Sequence, residues 1–329
     1  MHNNRGWYAL LLNKIISLVN RDLAKVEDSL KSVGEVQDNH LSELLNHALA
    51  SGGKRIRPAL TLLAGKLYHY NLDCLLPMAA AVELLHTATL VQDDAIDKSA
   101  VRRGQPTVYD VWGEDKAVLF GDYLFAKAGE LCASTGNLRV IKLFSQTLAT
   151  ISTGELDQAF DAFNPEQTRE RYFARISKKT ASLFVLAAES GAILSQAPER
   201  SVKILREYGH NLGIAFQIVD DILDFTGTEE ELGKPVGSDL AQGTLTLPAM
   251  VLLERCREDS PVKEFFHNRS PENKRRVIEL VRNSPIVREC YDVAADYCAR
   301  ACRNLNLLPD NASRRVLIDL ADYITERRK

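Results

Sequence analysis

The chain has 329 residues, of which 45% are hydrophobic, 26% charged and 7% aromatic. These values are typical of a globular protein and exclude disordered and collagen-like chains. The formal net charge of -3 excludes a global basic field of the kind that attracts nucleic acid.

The first predicted element is a helix over WYALLLNKIISLV, residues 7–19. Asn13 and Lys14 interrupt its apolar run and no cleavage signal follows, so we interpret it as an amphipathic helix rather than a signal peptide. No stretch reaches the roughly 18 uninterrupted apolar residues of a membrane span. We therefore expect a cytoplasmic protein without a transmembrane segment, and we keep a membrane-surface role for this helix as an alternative.

Long runs rich in Ala and Leu follow, and their length predicts helices rather than strands. They cover residues 79–94, 117–134, 179–195 and 208–225. Alternating β-branched runs are nearly absent, and no shift in composition marks a domain border. The sequence therefore predicts an all-α helical bundle, folded as a single domain over residues 1–329. The six cysteines show no zinc-ligand spacing, so we expect reduced thiols.

Two of the predicted helices carry the same acidic motif, DDxxD. The first holds Asp93, Asp94 and Asp97, and the second holds Asp220, Asp221 and Asp224. At about 100° per residue, the outer aspartates of each motif share one helix face. Each cluster follows a strongly apolar turn, where carboxylates repel each other and lose hydration. A solvated acidic face would explain one such cluster, but two favour oxygen ligands for Mg²⁺ held together with a substrate phosphate.

Two basic segments complement the acidic clusters. Arg102 and Arg103 follow the first motif directly, and the loop SGGKRIRP, residues 51–58, carries Lys54, Arg55 and Arg57. Guanidinium groups bind phosphate oxygens in bidentate fashion. His86 lies about two helical turns before Asp93 and shares its face, so a substrate contact is favoured over a core histidine. Two basic centres indicate two anionic substrates.

Seven motifs in order give the chain a specific resemblance to the trans-isoprenyl diphosphate synthases, the class I polyprenyl synthetase family. They are GGKRIRP at 52–58, ELLHTATLVQDDAID at 83–97, RRGQPTV at 102–108, GELDQ at 154–158, KTASLF at 179–184, FQIVDDILDF at 216–225 and GKPVGSDLAQGTLTLP at 233–248. The resemblance implies an all-α isoprenoid synthase fold, which is usually a homodimer. It also implies a prenyltransferase that condenses isopentenyl diphosphate head-to-tail with dimethylallyl, geranyl, farnesyl or geranylgeranyl diphosphate.

Residue roles follow from the resemblance, position by position. Those resembling Mg²⁺ ligands are Asp93, Asp97 and Asp220, and those resembling their close support are Asp94, Asp221 and Asp224. The allylic diphosphate would be held by Arg102, Lys179 and Lys234. The isopentenyl diphosphate would be held by Lys54, Arg57, His86 and Arg103. Thr180 and Gln217 would lie near the reacting carbons and steady positive charge there.

Two positions depart from the family pattern. Gln92 stands where many relatives have histidine, and Thr244 stands where many have lysine. The second departure leaves Lys234 as the only lysine in its loop, so one basic contact to the diphosphate is in doubt.

Small residues before the first motif bear on product length. The growing prenyl tail is expected to run along this helix, past Ala88 and Thr89, where short-chain relatives often carry an aromatic floor. Both residues are small, which favours a medium or long product, although close helix packing would also explain them. A lower floor is expected from the next helix, at Tyr123 or Phe125.

Three alternatives remain beside a medium- or long-chain synthase. A geranylgeranyl diphosphate synthase shares every motif. A class I terpene cyclase normally lacks GGKRIRP and the second DDxxD motif. A non-catalytic partner subunit of a heteromeric synthase tends to lose one aspartate motif, whereas both are intact here.

Overall fold

The computed structural model describes residues 11–50, 52–229, 233, 235–256 and 259–326. These residues form α-helices almost throughout. Residues 11–15 are helical, and the α-helices with described bounds are α1 Asn20–Val33, α2 Asn39–Ala50, α3 Ile56–Gly65, α4 Leu72–Ile96, α5 Val108–Trp112, α6 Glu114–Ala133, α7 Leu138–Phe160, α8 Arg169–Ile176, α9 Ser182–Leu194, α10 Glu199–Thr226, α11 Ser238–Ala241, α12 Leu247–Arg255, α13 Pro261–His267, α14 Pro271–Arg282, α15 Ile286–Cys302 and α16 Ala312–Glu326.

Short irregular elements connect some of these helices. Two 3₁₀ turns cover Ile16–Val19 and Leu305–Leu307, and one π-helical turn covers Ser177–Ala181. The described residues contain one two-stranded sheet, in which β1 (Val101–Arg102) pairs antiparallel with β2 (Gln105–Pro106). The π-helical turn contains Lys179 and Thr180, and such turns often occur at functional sites.

The centre of the bundle is α4. Asn71 caps its start by accepting a hydrogen bond from the backbone N–H of Asp73. The helix is 25 residues long and runs through the core, where its middle section is buried. By length and composition it could cross a membrane, but 61% of its most apolar window is buried inside the protein. Core helices of globular proteins pass the same test, so this is weak evidence for a membrane span.

Close helix packing surrounds α4. It contacts α6 most extensively, while α10 packs between α9 and α15. Glycines make the closest approaches possible: a Cβ at Gly191 of α9 would lie 2.3 Å from the Thr61 carbonyl oxygen of α3. Likewise, a Cβ at Gly209 of α10 would lie 2.6 Å from the Phe184 carbonyl oxygen. The core therefore brings the ends of α4 and α10, which carry the two aspartate motifs, into a fixed relation.

The chain ends also join the bundle. Leu12, Ile16 and Val19 are buried, so the described part of the predicted first helix turns its apolar side inward. At the other end, α16 packs against α3 and the Ile16–Val19 turn. The single domain predicted over residues 1–329 would require such contacts, and it stays a prediction.

Candidate active site

The first aspartate cluster lies at the C-terminal end of α4. Asp93 and Asp97 are half-buried, whereas Asp94 is buried. The Arg102 Nε lies 2.8 and 2.9 Å from the two carboxylate oxygens of Asp94. The short β1–β2 hairpin turns the chain back and places Arg102 there. Arg102, predicted to hold the allylic diphosphate, therefore braces Asp94 in this structure.

Burial raises the pKa of Asp97, and the neighbouring Asp93 raises it further. The same two causes, burial first, act on Asp94, although Arg102 opposes them. The cluster thus crowds negative charge in a poorly hydrated place, and a bound cation would relieve that cost.

The second aspartate cluster lies near the C-terminal end of α10. Asp220 is half-buried, while Asp221 and Asp224 are only 2% and 1% exposed. Tyr172 and Gln217 each donate a hydrogen bond of 2.7 Å to Asp221. Burial raises the pKa of Asp221 to about 7, and the charge of Asp239 adds to that effect.

The six motif aspartates therefore divide into two groups of three. The half-buried ones are Asp93, Asp97 and Asp220, and the buried ones are Asp94, Asp221 and Asp224. The division coincides with the ligand and support roles that the family resemblance implies. Metal ligation itself stays a prediction.

Lys179 links the first cluster to α7. Its Nζ lies 2.7 Å from Glu155 Oε2 and 3.6 Å from Asp93 Oδ2. Burial alone would lower the pKa of Lys179, but Asp93 and Glu155 outweigh burial and raise it. Burial also raises the pKa of Glu155 to about 7, and Asp93 contributes to that shift. Gly154 permits the close approach, because a Cβ there would lie 2.9 Å from the Lys179 backbone nitrogen.

Asp239 lies beside the second cluster, and motif spacing did not single it out. It lies on α11, and its backbone N–H donates to Asp224 Oδ2 at 3.3 Å. Its negative charge raises the pKa of Asp97 in one cluster and of Asp221 in the other. The only available signal was its place in the motif at 233–248.

Two further positions of the motif at 233–248 are Lys234 and Thr244. The predicted diphosphate ligand Lys234 lies outside the described residues. Thr244 is half-buried and its backbone N–H donates to the Asp239 carbonyl oxygen at 2.9 Å. Thr244 therefore helps to position the Asp239 turn, whatever its side chain contributes to a substrate.

The basic residues gather beside a pocket between α2, α4 and the hairpin. The pocket is lined by Arg55, His86 and Arg103, among others. Arg103 donates from Nη1 to the Gly52 carbonyl oxygen. Burial lowers the pKa of His86 well below its usual value, and Arg57 acts in the same direction. The lowered pKa favours the neutral imidazole, in which one ring nitrogen donates a hydrogen bond and the other accepts one.

The remaining basic residues of the first loop differ in their surroundings. The Arg57 guanidinium lies over the Phe184 ring, 4.7 Å from its centroid. Lys54 also has an interaction partner. Arg55 was not predicted as a site residue, yet its Nη1 donates to buried Glu83 at 2.6 Å and its Nε pairs with Glu27. The sequence of this loop did not show which of its basic residues form ion pairs within the protein.

The residues predicted to set product length show unequal exposure. Ala88 is fully buried, whereas Thr89 is half-buried and its hydroxyl donates to the His86 carbonyl oxygen at 2.8 Å. Tyr123 and Phe125 on α6 are partly buried and pack against the hydrophobic core. Of the two small residues on α4, Thr89 is therefore the more exposed.

Gln92 turns toward α6. Its Nε2 donates to Asp122 Oδ1 at 2.9 Å. A Cβ at Gly121 would lie 2.4 Å from Gln92 Cγ, so this contact depends on glycine. The departure at Gln92 therefore concerns helix packing.

Several known proteins are similar to this chain over most of its length. The family model described as Polyprenyl synthetase matches residues 38–283. Heptaprenyl diphosphate synthase component 2 of Geobacillus stearothermophilus is 39% identical over 316 residues, which cover 96% of this chain and 99% of that protein. Solanesyl-diphosphate synthase 2, chloroplastic, of Oryza sativa subsp. japonica is 35% identical over 325 residues, which cover 96% of this chain and 80% of that protein.

A solved structure is similar along almost its whole length. It is a polyprenyl synthase from Caulobacter crescentus CB15 complexed with calcium and isoprenyl diphosphate, with a TM-score of 0.92 and 35% sequence identity. The match covers 97% of this chain and 98% of that chain.

Proposed function

Because this chain belongs to the polyprenyl synthetase family, and is therefore a transferase with the predicted all-α isoprenoid synthase fold, we propose that it joins isopentenyl diphosphate to an allylic diphosphate. The allylic primers we consider are dimethylallyl, geranyl, farnesyl and geranylgeranyl diphosphate. Each condensation would lengthen the prenyl chain by one isoprene unit, head to tail.

The observation that carries this proposal is the contact of both aspartate clusters with the π-helical turn at Ser177–Ala181. Lys179 of this turn lies 3.6 Å from Asp93 in the first cluster. The next residue, Thr180, donates a hydrogen bond to Gln217, which donates one to Asp221 in the second cluster. Two acidic motifs that are far apart in sequence therefore meet at one site. Carboxylates and a cation arranged in this way suit a diphosphate bound through divalent metal.

The donor set fits Mg²⁺. Asp93, Asp97 and Asp220 offer half-buried carboxylate oxygens, and Mg²⁺ prefers oxygen ligands and usually keeps several waters. Among the described residues, no three His, Cys, Asp or Glu side chains form a ready-made cation site. We therefore expect the phosphate oxygens of the substrate to complete the coordination. When bound, the metal supplies positive charge that stabilises the leaving diphosphate.

The side chains of the protein would do the rest of the work. Lys179 would hold the allylic diphosphate while the C–O bond breaks and the diphosphate leaves with the bonding electrons. Arg103, Arg57 and neutral His86 would hold isopentenyl diphosphate so that its double bond attacks the allylic cation and forms the new C–C bond. The released diphosphate would then take the proton that the product loses. The surrounding apolar core excludes water from the cation.

The proposal also concerns the chain length of the prenyl product. Thr89 is small and half-buried where a growing tail would pass, and relatives are named heptaprenyl and solanesyl diphosphate synthases. Both facts favour a medium- or long-chain product. A geranylgeranyl product is the alternative, and Tyr123 or Phe125 would then form the floor.

The name of one relative suggests a second candidate function. A relative is called component 2 of a heptaprenyl diphosphate synthase, which favours a chain that works with another subunit. Both aspartate motifs are intact, so we propose that this chain carries the catalytic residues in either case.

Asparagine substitutions test the proposed site. Asp97→Asn and Asp220→Asn each remove a carboxylate charge, and we expect product formation to fall at least about 10²-fold. Asp296→Asn is the matched control, because Asp296 is an exposed aspartate paired with Arg300. Titration calorimetry with Mg²⁺ and inorganic diphosphate should show weaker binding in the two site variants only. Wild-type rates in both site variants would contradict the proposal.

A further inference from the structure

Four side chains form one hydrogen-bonded series beneath the second aspartate cluster. The Tyr172 hydroxyl of α8 donates to Asp221 Oδ2 at 2.7 Å. Gln217 Nε2 donates to Asp221 Oδ1 at 2.7 Å. The Thr180 hydroxyl of the π-helical turn donates to Gln217 Oε1 at 2.5 Å. The series thus links α8 and the π-helical turn to α10, which carries both Asp221 and Gln217.

The chemistry of the donors and acceptors gives this series a direction. Asp221 accepts from the NH₂ group of Gln217, so that group lies on the Asp221 side of the amide. The amide oxygen of Gln217 must then face Thr180. Thr180 has a single hydroxyl proton and gives it to that oxygen. The lone pairs of the Thr180 oxygen are therefore left for groups on its other sides.

Tyr172 stands at the inner end of the series. Its ring is fully buried and packs edge-on against Phe173, with centroids 5.2 Å apart. Thr168 caps the start of α8 by accepting from the Arg171 backbone N–H, which fixes the helix that carries Tyr172. The tyrosine hydroxyl therefore holds one carboxylate oxygen of Asp221 while Gln217 occupies the other. Together they prevent the carboxylate from rotating.

We infer that Tyr172 is a positioning residue: it orients Asp221, which acts through Gln217 to hold the Thr180 hydroxyl so that the lone pairs of the Thr180 oxygen face the reacting carbons. This inference rests on the proposed function, because only a reaction that builds positive charge benefits from oxygen lone pairs aimed at it. Tyr172 does not touch substrate. It acts through Asp221 and Gln217.

Kinetics of a minimal variant provide the first test. Tyr172→Phe removes only the hydroxyl, and we expect kcat to fall roughly tenfold while the KM values for both diphosphates change less than about twofold. Tyr208→Phe is the matched control: Tyr208 is also fully buried, and its hydroxyl donates at 2.6 Å to the Leu317 carbonyl oxygen of α16. We expect this control to keep its kcat. Equal kcat in both variants would overturn the inference.

A measurement that does not depend on catalysis provides the second test. The protein is labelled with ¹⁵N-glutamine, and the Gln217 side-chain amide is assigned by its loss in Gln217→Glu. In the wild type, we expect slow hydrogen exchange of this amide, and faster exchange in Tyr172→Phe but not in Tyr208→Phe. Unchanged exchange in Tyr172→Phe would overturn the inference. If the wild type makes no product but the exchange pattern holds, the proposed function fails and the positioning of Gln217 by Tyr172 stands.

Discussion

At the scale of single residues, burial controls the ionisation of Glu155. Burial and the nearby Asp93 raise its pKa from 4.5 to about 7. Below pH 4.5 the carboxyl is protonated in both the folded and unfolded states, so its contribution to stability is fully present. Between pH 4.5 and 7 the unfolded state ionises and the folded state does not, and the contribution is lost.

The loss of this contribution to stability as the pH rises can be tested. We expect the metal-free wild type to lose up to about 3 kcal/mol of unfolding free energy from this group between pH 4.5 and 7. Glu155→Gln cannot ionise and should lack that loss. Urea denaturation of both proteins from pH 4.5 to 8 measures the difference. Parallel stability curves for the two proteins would contradict the assignment.

A second residue-scale prediction separates the two basic centres. Arg103 lies in the pocket beside His86, and a charge-assisted hydrogen bond to phosphate contributes about 1.5–3 kcal/mol. Arg103→Met should therefore raise the KM for isopentenyl diphosphate by about 10- to 100-fold, with little change for the allylic primer.

Arg139 provides the control for that measurement. It is exposed and pairs with Glu199, so Arg139→Met should leave both KM values near those of the wild type. Equal increases in KM for the two substrates of Arg103→Met would mean that this arginine does not discriminate between the two diphosphate sites.

The sequence predicted the charged residues of the candidate site but not all of the residues that contact them. The DDxxD spacing singled out the six aspartates as candidate ligands and their support, because helical periodicity relates sequence spacing to a shared face, and these roles stay predictions. It could not reveal Asp239 or Tyr172, since both approach the second cluster from other elements. Nor could it show that Arg55 pairs with Glu83. Contacts between distant parts of a chain depend on packing that local patterns do not encode.

At the scale of helices, α4 would connect the proposed metal-binding end to the expected path of the prenyl tail. Thr89 is half-buried, whereas Ala88 has no exposed surface. Thr89→Phe should therefore extend a ring into open space and shorten the product. Ala88→Phe should instead overpack the core and cost about 1–3 kcal/mol of stability.

Product sizing and thermal unfolding distinguish these two outcomes. We expect a shorter prenyl ladder with near-normal melting for Thr89→Phe, and a lower melting temperature for Ala88→Phe. A wild-type ladder from Thr89→Phe would show that the tail does not pass this residue.

Elements were predicted with unequal success. The long Ala- and Leu-rich runs at 79–94 and 208–225 lie wholly in helices, and the run at 117–134 does so up to Ala133. Burial on several sides favours such long apolar helices. The RRGQPT break contains the short hairpin of β1 and β2. The π-helical turn at Ser177–Ala181 was not foreseen, since one extra residue per turn leaves no mark on apolar periodicity.

At the scale of the whole molecule, we expect a homodimer. Leu119 and Leu138 are large apolar side chains exposed on the contacting helices α6 and α7, and a second copy would cover them. Light scattering should therefore give twice the 36.7 kDa mass of the chain. A monomeric mass at micromolar concentration would contradict this expectation.

The most direct test of the account is a product assay with the purified chain alone. The chain is incubated with Mg²⁺, radiolabelled isopentenyl diphosphate and farnesyl diphosphate, and the dephosphorylated products are sized by chromatography. We predict a ladder that ends well beyond the geranylgeranyl length. A stop at geranylgeranyl would contradict the proposed product length, and no elongation of any allylic primer by the folded protein would contradict a synthase that works without a partner.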